Sequence, residues 1–146
     1  HYPLRRQRQM CIRDRLRNVL AGLTDGGRAT LDWRVGEETF TKIQARALLN
    51  LAYLTVSALP MGGEAIVAVR SEDGQLILVG SAEGARARLK AEALTGLRGE
   101  RLTEGLAGQW IQPYWLWLTV CDAGGRLQTT VEDGRVALIA RLPSAG

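Results

Sequence analysis

The sequence predicts an α/β protein: a two-layer sandwich with helices stacked on one face of a mixed sheet. Three observations predict it. Segments that alternate apolar and polar residues in twos are interleaved with segments of helical period. Two pairs of β-rich runs are each joined across an Asp-Gly, at Asp73-Gly74 and Asp133-Gly134, which signals a tight hairpin. One long segment, 40–59, is apolar around most of its girth and must lie against a sheet.

The elements follow in order. Apolar residues at Leu16, Val19, Leu20 and Leu23 have helical spacing, and Asp25-Gly26-Gly27 ends that helix. Ala29, Leu31, Trp33 and Val35 alternate with Arg28, Thr30, Asp32 and Arg34, a strand with one wet face. Glu37, Glu38 and Thr39 then lead into a helix start, where acids suit the helix dipole. In the helix over 40–59, Phe40, Ile43, Ala47, Leu51, Leu54 and Ala58 form one stripe, which Leu48, Ala52 and Leu59 widen. Its narrow polar strip is Lys42, Arg46, Asn50, Tyr53 and Ser57, and Pro60 with Gly62-Gly63 stops it. Strands over 64–70 and 75–80 form the first hairpin. A polar helix is expected over 85–95, with Ala85, Leu89 and Ala93 as its inner edge. The segment 96–110 carries Gly96, Gly99, Gly105 and Gly108 and reads as loop with a short helical piece. Because proline suits the first turn of a helix, the last helix is placed over 112–123, with Pro113 near its start and Gly124-Gly125 after it. Strands over 126–132 and 135–142 close the chain.

Composition bounds the function. The 146 residues make one domain, and 46% apolar with 23% charged residues is close to the globular average. For the chain as a whole that argues against a disordered tail, a collagen-like fibre or a disulfide scaffold. The longest apolar region, 47–59, is broken by Asn50, Thr55 and Ser57, so no span crosses a membrane. The net charge of +4 lies wholly in residues 1–15, where Arg5, Arg6, Arg8, Arg13 and Arg15 face one acid, Asp14. The remainder is neutral, with 14 basic and 14 acidic residues, which argues against a nucleic-acid-binding protein. Residues 1–15 are expected to form a disordered, non-native tail: they have neither structural period nor signal-peptide core, and Gln9-Met10-Cys11-Ile12-Arg13-Asp14-Arg15 resembles translated sequencing-adapter read-through. The native chain is expected to begin near Leu16, with a folded domain over 16–143.

Few residues carry chemistry. Cys11 and Cys121 are not expected to pair, and a reduced cytoplasmic setting fits, with Cys121 a small core residue. The only histidine is His1, so no internal imidazole serves as general base, metal ligand or phosphoryl acceptor. No catalytic residue and no metal site is assigned. Glu37-Glu38 and Glu72-Asp73 read as solvated turn carboxylates rather than acid–base pairs. Trp115 and Trp117 alternate with Leu116 and Leu118, so the cluster with Trp110 cannot all face one core. Gln112 and Tyr114 read as packing and capping residues.

The layout resembles the Bergerat-type ATP-binding domain of histidine kinases. Asn50-Leu51 precedes Pro60-Met61-Gly62-Gly63-Glu64-Ala65-Ile66, and Gly124-Gly125-Arg126-Leu127 leads to Arg135 and Pro143. Three departures stand out. Counting back from Gly62-Gly63, the kinases' magnesium-holding Asn falls on Leu54, which has no oxygen ligand. Counting back from Gly124-Gly125, their phosphate-cradling glycines fall on Trp110 and Gln112, with Pro113 beside them. Their adenine-gripping Asp-x-Gly-x-Gly falls near Val69-Arg70-Ser71-Glu72-Asp73-Gly74-Gln75, which lacks a second glycine.

With these departures the pattern looks like the C-terminal domain of the ChpT-type histidine phosphotransferases of alphaproteobacteria. The pieces that carry this are Ala45-Arg46-Ala47-Leu48-Leu49-Asn50-Leu51 and Ile111-Gln112-Pro113-Tyr114, supported by Ala29-Thr30-Leu31-Asp32-Trp33 and Ala58-Leu59-Pro60. The resemblance implies a phosphorelay protein that homodimerises through an N-terminal helical hairpin bearing the phosphoacceptor histidine, both missing from this chain. It implies that the kinase-like domain uses no cofactor and helps hold response-regulator receiver domains, with no nucleic acid and no membrane as partner. The nucleotide site is then a degenerate one near Asn50, Leu54, Trp110 and Gln112, and the receiver-binding residues are not assigned. The competing expectation is an active ATP-binding kinase or ATPase domain, in which Asn50 alone remains as an oxygen ligand.

Overall fold

The computed structural model describes residues 29–35 and 40–143. The helix expected over 16–23, and Glu37 and Glu38, lie outside the described residues. Among those described, the order is β1 (Ala29–Arg34), α1 (Lys42–Ser57), β2 (Gly63–Glu72), β3 (Gln75–Glu83), α2 (Ala91–Leu97), α3 (Ala107–Asp122), β4 (Arg126–Glu132) and β5 (Arg135–Pro143). The sheet order is β1-β2-β3-β5-β4. Strands β1 and β2 are parallel, which requires the crossover that α1 supplies. The other neighbours are antiparallel. In the first hairpin Asp73 and Gly74 both take positive φ, 51° and 75°, the geometry that favours Asp-Gly between twisted strands.

The predicted α/β sandwich is present, and one sheet face carries the core. Val67, Leu78, Leu138 and Ala140 face Leu48, Leu51 and Ala52 of α1 and Leu116 and Val120 of α3 in one buried cluster. Tertiary burial holds α1 in place. It has no acid in its first turn and no base in its last, so its dipole receives no side-chain support. Dipole pairing would contribute about 0.3–1 kcal/mol, whereas Leu48 and Leu51, both fully buried, each contribute about 1.5–3 kcal/mol. The helix begins at a capping box: Thr41 Oγ1 accepts from the Gln44 amide at 3.1 Å, and Gln44 Oε1 accepts from the Thr41 amide at 2.9 Å.

Several expectations are corrected. Ile43 is not part of the buried stripe but is 47% exposed, because the capping box turns Gln44 inward in its place. The polar helix begins at Ala91, not near 85. Residues 85–90 are tied down as loop by the Arg88 amide donating to the Ala58 carbonyl at 3.0 Å, which buries Ala87 and leaves Ala85 exposed. The last helix starts at Ala107 rather than Gln112, so Pro113 lies inside it. Pro113 gives up one helical hydrogen bond there, and its ring is buried against α2, where Gly96 permits close approach. Cys121 is exposed rather than a core residue.

Candidate functional site

Helices α1 and α3 meet over the sheet, and three of the four nucleotide-site positions, Asn50, Leu54 and Gln112, fall at their junction. Asn50 sits on the outward side of α1 and donates from Nδ2 to the Gln112 backbone carbonyl at 3.3 Å. Its Oδ1 is buried and accepts no hydrogen bond from the described residues. Leu54, one turn further on, is 4% exposed and closes the inner wall of a cleft. That cleft has a volume of about 320 Å³. Tyr53 and Ser57 of α1 and Gln109 and Gln112 of α3 line it, with Arg88 and Lys90 on the loop before α2. The structure therefore brings Asn50, Leu54 and Gln112 together.

Trp110 does not line this cleft. It stacks on Tyr114 with ring centroids 4.5 Å apart, and Tyr114 stacks in turn on Trp117 at 5.8 Å. The Trp110 indole N–H donates to the Glu100 carbonyl at 2.9 Å. Gly99, at φ +73°, lies against the Trp117 ring, where any side chain would overlap it. This aromatic ladder fastens α3 to the loop before it, so Trp110 fixes where the helix sits.

The N-terminus of α3 is already occupied by an anion of the chain's own. The Leu106 amide donates to Glu92 Oε2 at 3.3 Å, and Gly105 wraps the same side chain. Glu92's carboxyl is held below the usual range by its own backbone N–H, then by the Leu106 N–H, then by the charge of Lys90, with burial opposing. Sequence reasoning missed Glu92. The signal was weak, an acid in the first turn of a short helix, fourteen residues from its partner.

The outward flanks of α1 and α3 carry apolar side chains in solvent. Ile43 is 47% exposed, Tyr53 40%, Ile111 47% and Trp115 55%. The hydrogen bond from Asn50 to Gln112 bridges the two helices. Among the described residues no group of three or more metal-ligating side chains gathers, and no helix is long and apolar enough to cross a membrane. Glu72 lies 3.7 Å from Arg70 and is not paired with a second carboxylate for acid–base work.

The family model described as "Histidine phosphotransferase C-terminal domain" matches residues 13–135. A solved structure described as a bacterial phosphotransferase is similar with a TM-score of 0.74 and 21% identity, over 85% of this chain and 60% of that one. The Acinetobacter baumannii histidine kinase AdeS is similar with a TM-score of 0.66 and 8% identity, over 94% of this chain and 65% of that one. The mycobacterial sensor histidine kinase MprB is similar with a TM-score of 0.64 and 18% identity, over 92% and 94%. At these identities the likeness establishes the fold: the sandwich is of the histidine-kinase ATPase-like, Bergerat type. The chain spans less than two thirds of the length of the first two. No curated relative matches the chain.

Proposed function

The chain belongs to the histidine phosphotransferase C-terminal domain family, and from that premise we propose a kinase-like domain that does not bind ATP and helps dock response-regulator receiver domains in a phosphorelay. The observation that carries this reading is the make-up of the α1–α3 junction, whose cleft is walled by Leu54 where the kinases hold magnesium. Leu54 offers no oxygen where a magnesium ligand is needed. Asn50, which carries the remaining oxygen, does not line the cleft: its Nδ2 donates to the Gln112 carbonyl and its Oδ1 is buried. The carboxylate of Glu92 stands at the end of α3 where a helix would otherwise attract phosphate. Docking is supported by the exposed flanks of α1 and α3, whose Ile43, Tyr53, Ile111 and Trp115 supply the aromatic and aliphatic anchors typical of interface centres. Phosphoryl transfer itself needs a histidine that 16–146 does not contain. In this reading that histidine stands on an N-terminal helical hairpin of the intact cytoplasmic protein, and the hairpin also forms its homodimer.

Two measurements test the proposal. Calorimetric titration of the chain with Mg-ATP is expected to give no heat of binding, and micromolar affinity overturns the first half. Titration with a panel of receiver domains is expected to find one that binds. Trp115→Ala then weakens that binding about ten-fold or more, as loss of an aromatic anchor does. Since Trp115 is 55% exposed, the melting temperature is expected to stay unchanged. Undiminished receiver affinity in both Trp115→Ala and Ile43→Ala overturns the second half.

A further inference from the structure

One edge of the sheet is β4. Among the described residues β4 hydrogen-bonds only to β5, so the backbone groups along its other side are unpaired. The edge is lightly protected: Arg126–Glu132 reads Arg-Leu-Gln-Thr-Thr-Val-Glu, with charges only at its two ends, no proline, no lysine and five uncharged residues between, of which Thr129, Thr130 and Val131 favour strands. Below it, on the helix side, lies an open groove of about 490 Å³ lined mainly by Leu94, Leu97, Trp117, Leu127 and Val131. Val131 is 46% exposed there.

The order of residues along the edge names its occupant. A second β4 laid antiparallel about a two-fold axis through Thr129 sets Arg126 opposite the partner's Glu132, Leu127 opposite the partner's Val131, and Gln128 opposite the partner's Thr130. Each pairing occurs twice by symmetry. The charged pairs fall on the open face and the apolar pairs over the groove, because side chains alternate along a strand. Among the described residues of one chain neither charge is engaged in an ion pair. Arg126 stands beside Arg141, and Glu132 beside Arg135, whose guanidinium is already 3.8 Å from Glu83.

We propose that two copies of this chain associate through antiparallel β4–β4 pairing, joining two five-stranded sheets into one of ten strands. The contact flanks α3 on the Trp117 side, away from Trp115, so it is separate from the receiver surface and fails or holds independently of it.

Sedimentation velocity of the 146-residue chain between about 5 and 500 µM brackets what so small an interface sustains. Self-association in this range is expected. Arg126→Glu turns two opposite-charge pairs into like-charge pairs and weakens association about ten-fold. Glu132→Arg does the same from the other end. An equimolar mixture of the two variants restores both pairs and associates as tightly as the parent, which no misfolding of either variant would produce. A monomer at every concentration overturns the proposal. So does self-association that the two substitutions leave unchanged, or a mixture no tighter than its components.

Discussion

Substituting alanine for glycine at two helical positions should move stability in opposite directions. Gly96 in α2 and Gly108 in α3 are both helical, and propensity alone favours alanine at each by roughly 0.5–1 kcal/mol. Their surroundings differ. A Cβ on Gly96 would stand 2.7 Å from the Trp110 carbonyl oxygen, 2.7 Å from the Tyr114 amide nitrogen and 3.0 Å from Pro113 Cβ. These fall short of the 3.4 Å at which ordinary contact begins. The first two atoms are helix backbone and cannot rotate aside, so α2 and α3 must separate. Overpacking of this kind costs about 1–3 kcal/mol, which exceeds the propensity gain. Around Gly108 a Cβ would meet nothing within 4 Å, so the gain stands alone. Gly96→Ala is therefore expected to lower stability by about 1–2 kcal/mol and Gly108→Ala to raise it by up to about 1 kcal/mol. Urea unfolding followed by circular dichroism and tryptophan fluorescence reads both, with the slope unchanged and only the midpoint moved. Gly96→Ala also disturbs the near-ultraviolet signal of the Trp110–Tyr114–Trp117 stack, because α3 shifts. If both variants move the midpoint in the same direction, the packing argument for α2 and α3 is wrong.

Two further outcomes follow from other contacts. A methyl on Gly80 in β3 would overlap Thr55 Oγ1 and stand 2.8 Å from Leu51 Cδ2, and Thr55 is held there by a 2.7 Å hydrogen bond to the Leu51 carbonyl. Gly80→Ala should therefore destabilise by about 1–3 kcal/mol, and adding Thr55→Ala should recover at least about 1 kcal/mol of that; strictly additive losses in the double variant refute the overlap. For Glu92 the folded-state pKa is depressed, so its contribution is present above the usual glutamate range and is lost as the pH falls through the lowered value. The stability gap between the parent and Glu92→Gln is expected to be largest at neutral pH and to close in acid, and a gap that widens in acid contradicts the assignment.

The strands and the buried central helix were legible because their signals are local. The Asp73-Gly74 and Asp133-Gly134 turns fixed both hairpins, and the alternation of Val136, Leu138 and Ala140 marked a face that is buried as expected. The helical region between them misled for physical reasons. Four glycines in 96–110 read as loop, yet Gly96 and Gly108 are helical. Gly96 is there because two helix backbones approach each other, a tertiary cause that no local pattern carries. Pro113 read as a helix start because proline is unfavourable inside a helix; burial against Gly96 overrides that preference. The cap of α1 was readable as Thr41-x-x-Gln44, a capping box, but the acids at Glu37 and Glu38 drew the reading away from it.

The same causes explain why the candidate site was only half legible. Leu54 and Gln112 could be placed from spacing because they lie on helices with fixed distances to glycine turns. Trp110 was placed correctly in sequence and wrongly in space. Counting along the chain set it in the cleft, whereas its indole turns away to the Glu100 carbonyl and stacks on Tyr114. Its effect on the cleft is therefore indirect: the ladder and Gly96 together hold α3 close, and the Gln112 carbonyl reaches Asn50 as a result. Asn50 pairs one side of its amide and buries the other with no partner among the described residues, which on average costs about 1–3 kcal/mol. A leucine at that position would avoid the penalty and lose little. Packing of Leu48 and Leu51 against Leu116 and Val120 in the shared core sets how α1 lies against α3, and the Asn50–Gln112 bond forms on that register.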